Sequence, residues 1–404
     1  MTPGRIVIIG AGESGARVAI ALREQGFAGS VTLIGEERHA PYERPPLSKA
    51  ALFGEDPPTP PYIGDAQRLS ELDIETAFGV AATAIDRKAR CVRLSDGADV
   101  PYDKLVLATG ARARRLILPG AEFGLTLRTY EDAVTLRQRM RPGASVVVIG
   151  GGFIGLEIAA GARKLGCEVT VVEAAPRLLA RATPAPLASI LAARHRAEGV
   201  EILTGAGALA FSADAVALAE GRWLKADAIV VGVGAAPETA LAGGAGLALD
   251  NGVAVNARLQ TSDPDIFACG DCANFPHPLF DGRLLRLEAW RNAFDQGAFV
   301  ARALTGADEE FAAIPWFWSD QYELCLQIAG FPDAGAAIVS RDLGDGALMI
   351  FHIAADGRLV GVGAVGPLAK IAKEVRVAEM LIARRAAPKT EQLAAPGVKL
   401  KGLL

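Results

Sequence analysis

A glycine-rich segment near the start of the chain has the spacing that binds a dinucleotide. It follows a continuous apolar run, 6–9, which suits a central parallel strand. Its three glycines allow a tight turn, a close approach of backbone to a pyrophosphate, and close packing of helix on strand: Gly10, Gly12 and Gly15. Helical periodicity then runs to Gly26, and a second apolar run ends before Glu36. The carboxylate of Glu36 can accept hydrogen bonds from a ribose diol.

The same pattern recurs in the middle of the chain. A strand is predicted over 146–149, a helix over 157–164 and a strand over 169–172. The second fingerprint consists of Gly150, Gly152 and Gly155. Glu173 favours the free 2′-hydroxyl of NAD(H), whereas the nearby Arg177 could accept the 2′-phosphate of NADP(H). Two dinucleotide sites in one chain predict a flavin and a nicotinamide that exchange a hydride.

Length and composition limit the class of protein. At 404 residues, two or three domains are expected, and 51% hydrophobic with 22% charged residues is typical of a globular protein. A net charge of −4 without basic runs argues against nucleic acid. The lack of a long apolar run or a signal-peptide pattern predicts a cytoplasmic protein that does not enter the membrane. The four histidines are scattered and lack metal-ligand spacing, so no metal site is expected.

The segment PYERPPLSKA, 41–50, follows the first βαβ unit and is predicted to be rigid and irregular because of its three prolines. Its Lys49 is either a solvated surface lysine or a buried charge that needs a counter-ion. The candidate counter-ion is Glu157, whose alternative role is to stabilise a helix N-terminus through the helix dipole. We favour the Lys49–Glu157 pair.

Two later segments extend the pattern to a family. They are YDKLVLATGAR, 102–112, and TSDPDIFACGDCAN, 261–274. With the first fingerprint, they resemble the flavoprotein disulfide-reductase superfamily. The resemblance implies that the first fingerprint binds FAD, that Asp271 contacts its ribityl-phosphate region, and that the second fingerprint binds NAD(P)H. Thiol-dependent members carry their redox cysteines where this chain has PYERPPLSKA, which contains no cysteine.

Four further motifs narrow the resemblance: PYERPPLSK, LRTYEDA, RLEAWRNAFDQG and PWFWSDQY. Together they resemble the putidaredoxin-reductase-like ferredoxin reductases of bacterial oxygenase systems. The resemblance implies that electrons pass from NADH through FAD to a [2Fe–2S] ferredoxin, and from it to a cytochrome P450 or a ring-hydroxylating dioxygenase. The oligomeric state, monomer or homodimer, stays open.

The resemblance also implies site residues. It places Lys49 beside the flavin and, with the predicted pair, assigns Lys49 and Glu157 to catalysis. The implied FAD-binding residues are Gly10, Gly12, Ser14, Gly15, Glu36, Arg44, Lys49, Ala82, Ala108, Thr109, Gly110, Arg128, Gly270, Asp271 and Trp290. The implied NAD-binding residues are Gly150, Gly152, Phe153, Ile154, Gly155, Glu173, Arg177, Gly232 and Gly234.

The predicted fold class is α/β, with two Rossmann-like FAD- and NAD(P)-binding domains and a C-terminal α+β domain. The FAD domain is expected to be discontinuous, 1–110 and 240–310, with the NAD domain, 111–239, inserted in it. The C-terminal domain is expected over 311–404, with a hairpin formed by ALMIFHI and LVGVGAV around a DGR turn.

Several alternatives stay open. Cys269 and Cys272 form CGDC, which a thiol–disulfide centre would use, but the pair encloses the predicted flavin-phosphate motif and a redox role is disfavoured. Trp316 and Trp318 are predicted to pack between domains rather than carry electrons. Other functions compatible with the sequence are a rubredoxin reductase, an NADH-dependent reductase of another acceptor such as a quinone-like molecule, and a flavoprotein sensor that resembles apoptosis-inducing factor.

Overall fold

The computed structural model describes residues 4–54, 59–181 and 183–404. The chain divides into two compact units. The first unit contains the described residues of Met1–Glu43, Pro60–Arg112 and Ala236–Pro315, and the second those of Arg44–Thr59, Ala113–Ala235 and Trp316–Leu404. The segment 44–54, which follows the first βαβ unit in sequence, therefore groups with the second unit. The division into three functional domains remains a prediction.

The first unit is built on a five-stranded parallel sheet. Its strands in spatial order are Ile266–Ala268, Lys104–Leu107, Arg5–Ile9, Ser30–Gly35 and Glu75–Phe78. Two three-stranded sheets accompany it, formed by Ala82–Asp86, Cys91–Leu94 and Asp99–Pro101, and by Val253–Ala254, Ala273–His277 and Arg283–Leu285. The α-helices are Glu13–Glu24, Ala66–Glu71, Ala240–Gly244 and Trp290–Leu304, and 3₁₀ turns span Gly270–Cys272 and Pro278–Phe280.

The second unit repeats the parallel arrangement and adds an antiparallel sheet. The parallel sheet runs Glu201–Thr204, Glu168–Glu173, Ser145–Ile149, Ala228–Val231 and Gly124–Leu125. The antiparallel sheet runs Trp316–Gln321, Leu324–Gly330, Leu359–Gly366, Ala347–Ile353 and Ala337–Gly344, and a small sheet contains Ala208–Phe211, Ala215–Leu218 and Trp223–Lys225.

The remaining elements of the second unit are mostly helical. Its α-helices are Ala50–Phe53, Tyr130–Arg139, Phe153–Lys164, Ala185–Ala197, Leu368–Ala383 and Thr390–Ala394, and its 3₁₀ turns are Pro45–Ser48, Ala121–Phe123, Pro332–Ala334 and Leu400–Leu403. The chain leaves the first unit in strand Ala111–Ala113 and re-enters it in strand Ala235–Pro237. The predicted α/β class, with its two nucleotide-binding sheets and mixed C-terminal region, is confirmed.

The turn after the first strand depends on glycine. Gly10 has a φ of +109°, and a Cβ atom there would lie 2.1 Å from the carbonyl oxygen of Ala108. Gly15 lies in the first turn of the following helix, and its Cβ would lie 1.8 Å from the carbonyl oxygen of Gly10. Glycine is therefore required at both positions for strand, turn and helix to approach this closely.

Some local predictions need correction. The second fingerprint helix begins at Phe153 and not at Glu157, because Gly155 lies inside the helix rather than in the loop before it. Glu157 consequently lies in the second turn, where a stabilising effect of the helix N-terminus is weaker. The proline-rich segment, predicted to be irregular, contains the 3₁₀ turn Pro45–Ser48, since proline is well accommodated at the start of a helical turn. The predicted hairpin of Ala347–Ile353 and Leu359–Gly366 is confirmed.

Among the helices that the structure describes, none combines the length and the apolar character needed to cross a bilayer.

Buried histidines predict a loss of stability in acid. The ring of His195 is fully buried, with Nε2 3.0 Å from Oε1 of Gln321 and Nδ1 3.3 Å from the hydroxyl of Tyr322. Burial lowers its pKa, and burial likewise lowers the pKa of His277 and His352. In acid, the unfolded chain therefore binds protons at these histidines that the native protein does not bind.

The contribution of these histidines to stability is thus expected to be complete above about pH 6.5 and to fall as the pH drops below it, by up to about 1.4 kcal/mol per histidine at pH 5.5. The raised pKa values of Glu13 and Glu157 act in the opposite direction, so the histidine contribution is read from the difference between a histidine variant and the unaltered protein. Urea unfolding at pH 7.5 and 5.5 measures this loss. The His195→Gln variant should lose less between the two pH values than the unaltered protein. An equal loss in both would mean that His195 does not contribute.

Candidate functional site

The first fingerprint leaves an open surface at the start of helix Glu13–Glu24. A Cβ at Gly12 would meet no atom within 4 Å, so the backbone there can be approached closely. The free N–H groups and the dipole of a helix N-terminus favour an anion at this place. The arrangement fits the pyrophosphate of a dinucleotide.

A buried amide group supports this fit. Gln296 is fully buried, and its Oε1 accepts a hydrogen bond of 2.7 Å from the backbone N–H of Gly270, the first residue of the predicted Gly-Asp motif. Its Nε2 has no partner among the described residues. An unpaired buried donor costs about 1–3 kcal/mol, so a bound acceptor at this place would remove that cost. The sequence analysis missed Gln296, and no spacing rule would have found it.

Two predicted FAD-binding hydroxyls are engaged within the first unit. Ser14 donates a hydrogen bond of 2.8 Å to the carbonyl of Ala293, and Thr109 donates one of 2.7 Å to the carbonyl of Glu238. A contact of Ser14 with a phosphate would therefore use its backbone N–H. Ala108 and Gly110 flank Thr109 at the end of strand Lys104–Leu107.

The other predicted FAD-binding residues of the first unit are spread along it. Glu36 is exposed at the end of strand Ser30–Gly35, and its carboxylate lies 3.3 Å from the guanidinium of Arg112. Ala82 begins the strand Ala82–Asp86. Asp271 lies in the 3₁₀ turn after Gly270, and its carbonyl accepts a hydrogen bond from Arg286.

Lys49 has two carboxylate partners in the second unit. Its Nζ lies 3.7 Å from Oε1 of Glu157 and 3.2 Å from Oδ2 of Asp320. The predicted ion pair is therefore present, and the catalytic roles of Lys49 and Glu157 stay predictions. Asp320, for which the sequence analysis made no prediction, is a second counter-charge. Nζ also lies 5.1 Å from the ring centroid of Trp318, within the range of a cation–π interaction.

Glu157 is held from two sides by serine hydroxyls. Ser319 donates to Oε1 at 2.6 Å, and Ser48 donates to Oε2. Only 6% of the residue is exposed, and burial raises the pKa of its carboxyl group, whereas Lys49 and the two serines oppose that rise. Glu157 thus depends on these three partners to remain ionised in a buried position.

The tryptophans of PWFWSDQY lie together on strand Trp316–Gln321. The rings of Trp316 and Trp318 are stacked with a centroid distance of 5.3 Å and an interplanar angle of 23°. Phe317 points to the other face of the strand, and its ring centroid lies 4.4 Å from that of Phe153. This contact joins the C-terminal sheet to the second fingerprint helix within the second unit.

The second fingerprint has the geometry of the first. Gly150 has a φ of +108°, and a Cβ there would lie 2.4 Å from the carbonyl oxygen of Gly232. Gly152 is open on one side, Gly155 packs below it, and Ile154 is 44% exposed. The carbonyl of Gly234 accepts a hydrogen bond from the N–H of Arg114.

Glu173 is fixed by two backbone groups. Its Oε2 accepts from the N–H of Gly151 and its Oε1 from the N–H of Ala175, each at 2.7 Å. Both oxygens keep further lone pairs for a ribose diol. The carboxylate also places a negative charge where a 2′-phosphate would have to bind.

The guanidinium group of Arg177 is hydrogen-bonded within its own loop. Its NH1 group donates to the carbonyls of Leu178 and Leu179, and its NH2 group donates to that of Ala180 at 3.0 Å. The alternative that Arg177 binds a 2′-phosphate would require these bonds to break.

We therefore expect Arg177→Ala to leave the ratio of KM for NADPH to KM for NADH nearly unchanged. Glu173→Ala should lower that ratio at least about tenfold, because a repulsive charge and a ribose acceptor are both lost. Steady-state kinetics with the two coenzymes measure it. A clear rise of the ratio in Arg177→Ala would instead show that the arginine binds the 2′-phosphate of NADPH.

Two arginines predicted to contact FAD belong to the second unit. The guanidinium of Arg44 donates to the carbonyl of Arg128. Arg128 directly precedes Thr129, the N-cap of helix Tyr130–Arg139, and its backbone N–H donates to Asp132 at 2.8 Å. A cofactor role for either arginine stays a prediction.

The cysteines of CGDC are unsuited to thiol chemistry. Cys269 and Cys272 are unbonded to one another and fully buried, and burial raises the pKa of both thiols. A buried thiol with a raised pKa is a poor nucleophile. Among the described residues, no group of three or more potential ligands is arranged to hold a metal ion.

Sequence patterns of two families cover most of the chain. Residues 4–297 match the pyridine nucleotide-disulphide oxidoreductase family, and residues 316–404 match the reductase C-terminal domain. The chain belongs to the pyridine nucleotide-disulphide oxidoreductase family. Members of this family and ferredoxin–NAD⁺ reductases use FAD and NADH, and the chain is an oxidoreductase of that type.

Relatives within the family are ferredoxin reductases of oxygenase systems. The ferredoxin–NAD⁺ reductase component of the anthranilate 1,2-dioxygenase system of Burkholderia cepacia is 41% identical over 100% of both chains. The rubredoxin–NAD⁺ reductase of Pseudomonas putida is 40% identical over 80% of this chain and 86% of the relative. The reductase in the covalent putidaredoxin reductase–putidaredoxin complex has a TM-score of 0.93 and 36% identity, covering 99% of this chain and 98% of that chain.

Proposed function

We propose that this chain is an NADH:ferredoxin oxidoreductase that takes electrons from NADH and passes them through FAD to a [2Fe–2S] ferredoxin. The ferredoxin serves a cytochrome P450 or a ring-hydroxylating dioxygenase. The family, and relatives that are reductase components of such systems, support this proposal.

The single observation that carries the proposal is the Lys49 cluster. In thiol-dependent relatives a redox dithiol follows the first βαβ unit, whereas this chain has no cysteine before Cys91. It has instead a lysine held by Glu157 and Asp320. A protein without that dithiol must pass electrons from the flavin directly to an external acceptor.

FAD, when bound, accepts an electron pair from NADH as hydride and releases the electrons singly. The residues of the chain bind FAD and set the electrostatic surroundings of its flavin. The backbone at Gly12 would receive the FAD pyrophosphate, while Gly10 and Gly15 let turn, strand and helix pack closely around it. Gln296 would donate to an oxygen of the bound FAD. Lys49 supplies a positive charge that favours negative charge on the reduced flavin.

The serine-held carboxylate fixes that lysine. Because Ser48 and Ser319 immobilise Glu157, and Asp320 lies on the other side, Nζ of Lys49 has little freedom to turn away. Glu157 is therefore a positioning residue. On the nicotinamide side, Glu173 binds the adenosine ribose of NADH, and the backbone of Gly152–Gly155 receives its pyrophosphate.

The proposal includes the organisation of the chain. We assign residues 1–110 and 240–310 to the FAD domain, 111–239 to the NAD domain and 311–404 to the C-terminal domain, and we place the protein in the cytoplasm. The proposed FAD-binding residues Arg44 and Lys49 lie in segment 44–54, which groups with the second compact unit.

A second candidate acceptor is rubredoxin, because a rubredoxin–NAD⁺ reductase is among the relatives at 40% identity. Both acceptors are small iron proteins that take one electron at a time, so the reductive half of the reaction would be identical.

Rapid mixing with NADH tests the proposal. We expect fast bleaching of the flavin, followed by turnover when a [2Fe–2S] ferredoxin is added, and slower turnover with rubredoxin. Faster turnover with rubredoxin would select the second candidate. Slow reduction and a long-lived charge-transfer complex, with no turnover by either acceptor, would contradict the proposal and favour a sensor.

A further inference from the structure

The first fingerprint contains an acid that the proposed electron transfer does not use. Glu13 directly follows Gly12 and is the first residue of helix Glu13–Glu24. Its Oε2 accepts a hydrogen bond of 2.9 Å from Nε1 of Trp290, which is the first residue of helix Trp290–Leu304. Two helix N-termini of the first unit therefore meet at this carboxylate.

The charges that face Glu13 do not neutralise it. Glu43 is a second acid within interaction range, and Arg17 is the nearby cation. Arg17 is already engaged, with NH2 2.9 Å from Oε2 of Glu24 and its guanidinium 4.8 Å from the ring centroid of Phe294. Burial, followed by Glu43, raises the pKa of Glu13 to about 7, while Trp290 and Arg17 oppose the rise.

A bound dinucleotide would add negative charge at the same place. An acid at the first position of a helix is normally stabilised by the helix dipole. In a dinucleotide fingerprint that dipole and the free N–H groups serve the pyrophosphate. The carboxylate of Glu13 and a bound pyrophosphate would therefore compete for one positive helix end, and their negative charges would repel one another.

We propose that Glu13 takes up a proton when FAD binds, so that the holoprotein carries it as a neutral acid. This inference rests on the proposed assignment of FAD to the first fingerprint. The balance is one proton per FAD: ionised Glu13, a proton and free FAD give protonated Glu13 with bound FAD. The neutral acid still accepts the hydrogen bond from Trp290 through its carbonyl oxygen.

Three buried histidines do not titrate in the relevant pH range. His195, His277 and His352 have pKa values lowered by burial, so they are neutral above pH 7 in either state. FAD affinity should therefore weaken above pH 7 by up to about tenfold per pH unit, the limit for uptake of one proton.

The test uses the full chain freed of FAD and reloaded. The dissociation constant of FAD is measured by equilibrium dialysis at pH 6.5, 7.5 and 8.5 for the unaltered protein, Glu13→Gln and the matched control Glu71→Gln. Glu71 ends the separate helix Ala66–Glu71 of the first unit, so its substitution removes the same charge away from the fingerprint. FAD binding to the unaltered protein and to Glu71→Gln should weaken with rising pH, whereas Glu13→Gln should bind FAD equally at all three values.

Proton uptake is measured directly by adding FAD at pH 7.5 in weak buffer with an indicator dye. The unaltered protein and Glu71→Gln should take up protons, and Glu13→Gln should take up none. Equal pH dependence and equal uptake in all three proteins would overturn the inference while leaving FAD binding intact. Failure of the unaltered protein to bind FAD at any pH would instead overturn the proposed function.

Discussion

Alanine at Gly150 should give a protein that retains FAD but binds NADH at least about tenfold more weakly. The φ of +108° at this residue is strained for alanine, and the new Cβ would lie 2.4 Å from the carbonyl of Gly232. Relieving that overlap moves the turn that we assign to the NADH pyrophosphate. Flavin content by absorbance and KM for NADH by steady-state kinetics measure the two effects separately.

The corresponding substitution in the first fingerprint, Gly10→Ala, should give a protein that lacks FAD. Its Cβ would lie 2.1 Å from the carbonyl of Ala108. Gly97→Ala and Gly205→Ala are matched controls, because both glycines have positive φ but open space around them. These controls should lose only about 1–3 kcal/mol of stability to backbone strain. Loss of FAD in Gly150→Ala, with retention in Gly10→Ala, would reverse the assignment of the two fingerprints.

Lys49→Met should slow reduction of the flavin by NADH about 10- to 100-fold, because it removes the cation that stabilises negative charge at the reaction centre. FAD content should remain normal. Glu157 should then take up a proton, since burial already raises its pKa and its main compensating charge is gone. Rapid-mixing absorbance at the flavin band measures the rate.

Two variants separate charge from position. Asp320→Asn leaves Lys49 its partner Glu157 and should slow reduction less than Lys49→Met does. Glu157→Gln removes the buried anion but keeps one acceptor for a serine, so Lys49 becomes free to turn toward Asp320 and the rate should be intermediate. An unchanged rate in Lys49→Met would remove the lysine from the reaction.

Much of the fold follows from local pattern. The two fingerprints are recognisable because strand, glycines and helix lie within one short segment. The carbonyls that exclude a Cβ at Gly10 and Gly150 belong instead to Ala108 and Gly232, which only the fold brings near. The start of the second helix was misplaced because Gly155 resembles a loop residue until the packing against the carbonyl of Gly150 is known.

Most hydrogen-bond and ion-pair partners of the charged residues could not be predicted from the sequence. The Lys49–Glu157 pair was predictable because a buried lysine needs a counter-charge. Ser48 is next to Lys49 in sequence, but Ser319 and Asp320 lie far along the chain, and only the fold brings them to the pair. The hydrogen bonds of Arg177 to carbonyls of its own loop could not be predicted either, since sequence spacing indicates proximity but not which groups a guanidinium donates to.

The distribution of the cysteines has a practical consequence. Four of the five are buried, whereas Cys91 on strand Cys91–Leu94 is partly exposed. A maleimide dye should therefore attach at one position of the native, unmutated chain. Fluorescence or spin-label experiments on acceptor docking could thus begin without the cysteine-free background that such labelling usually demands.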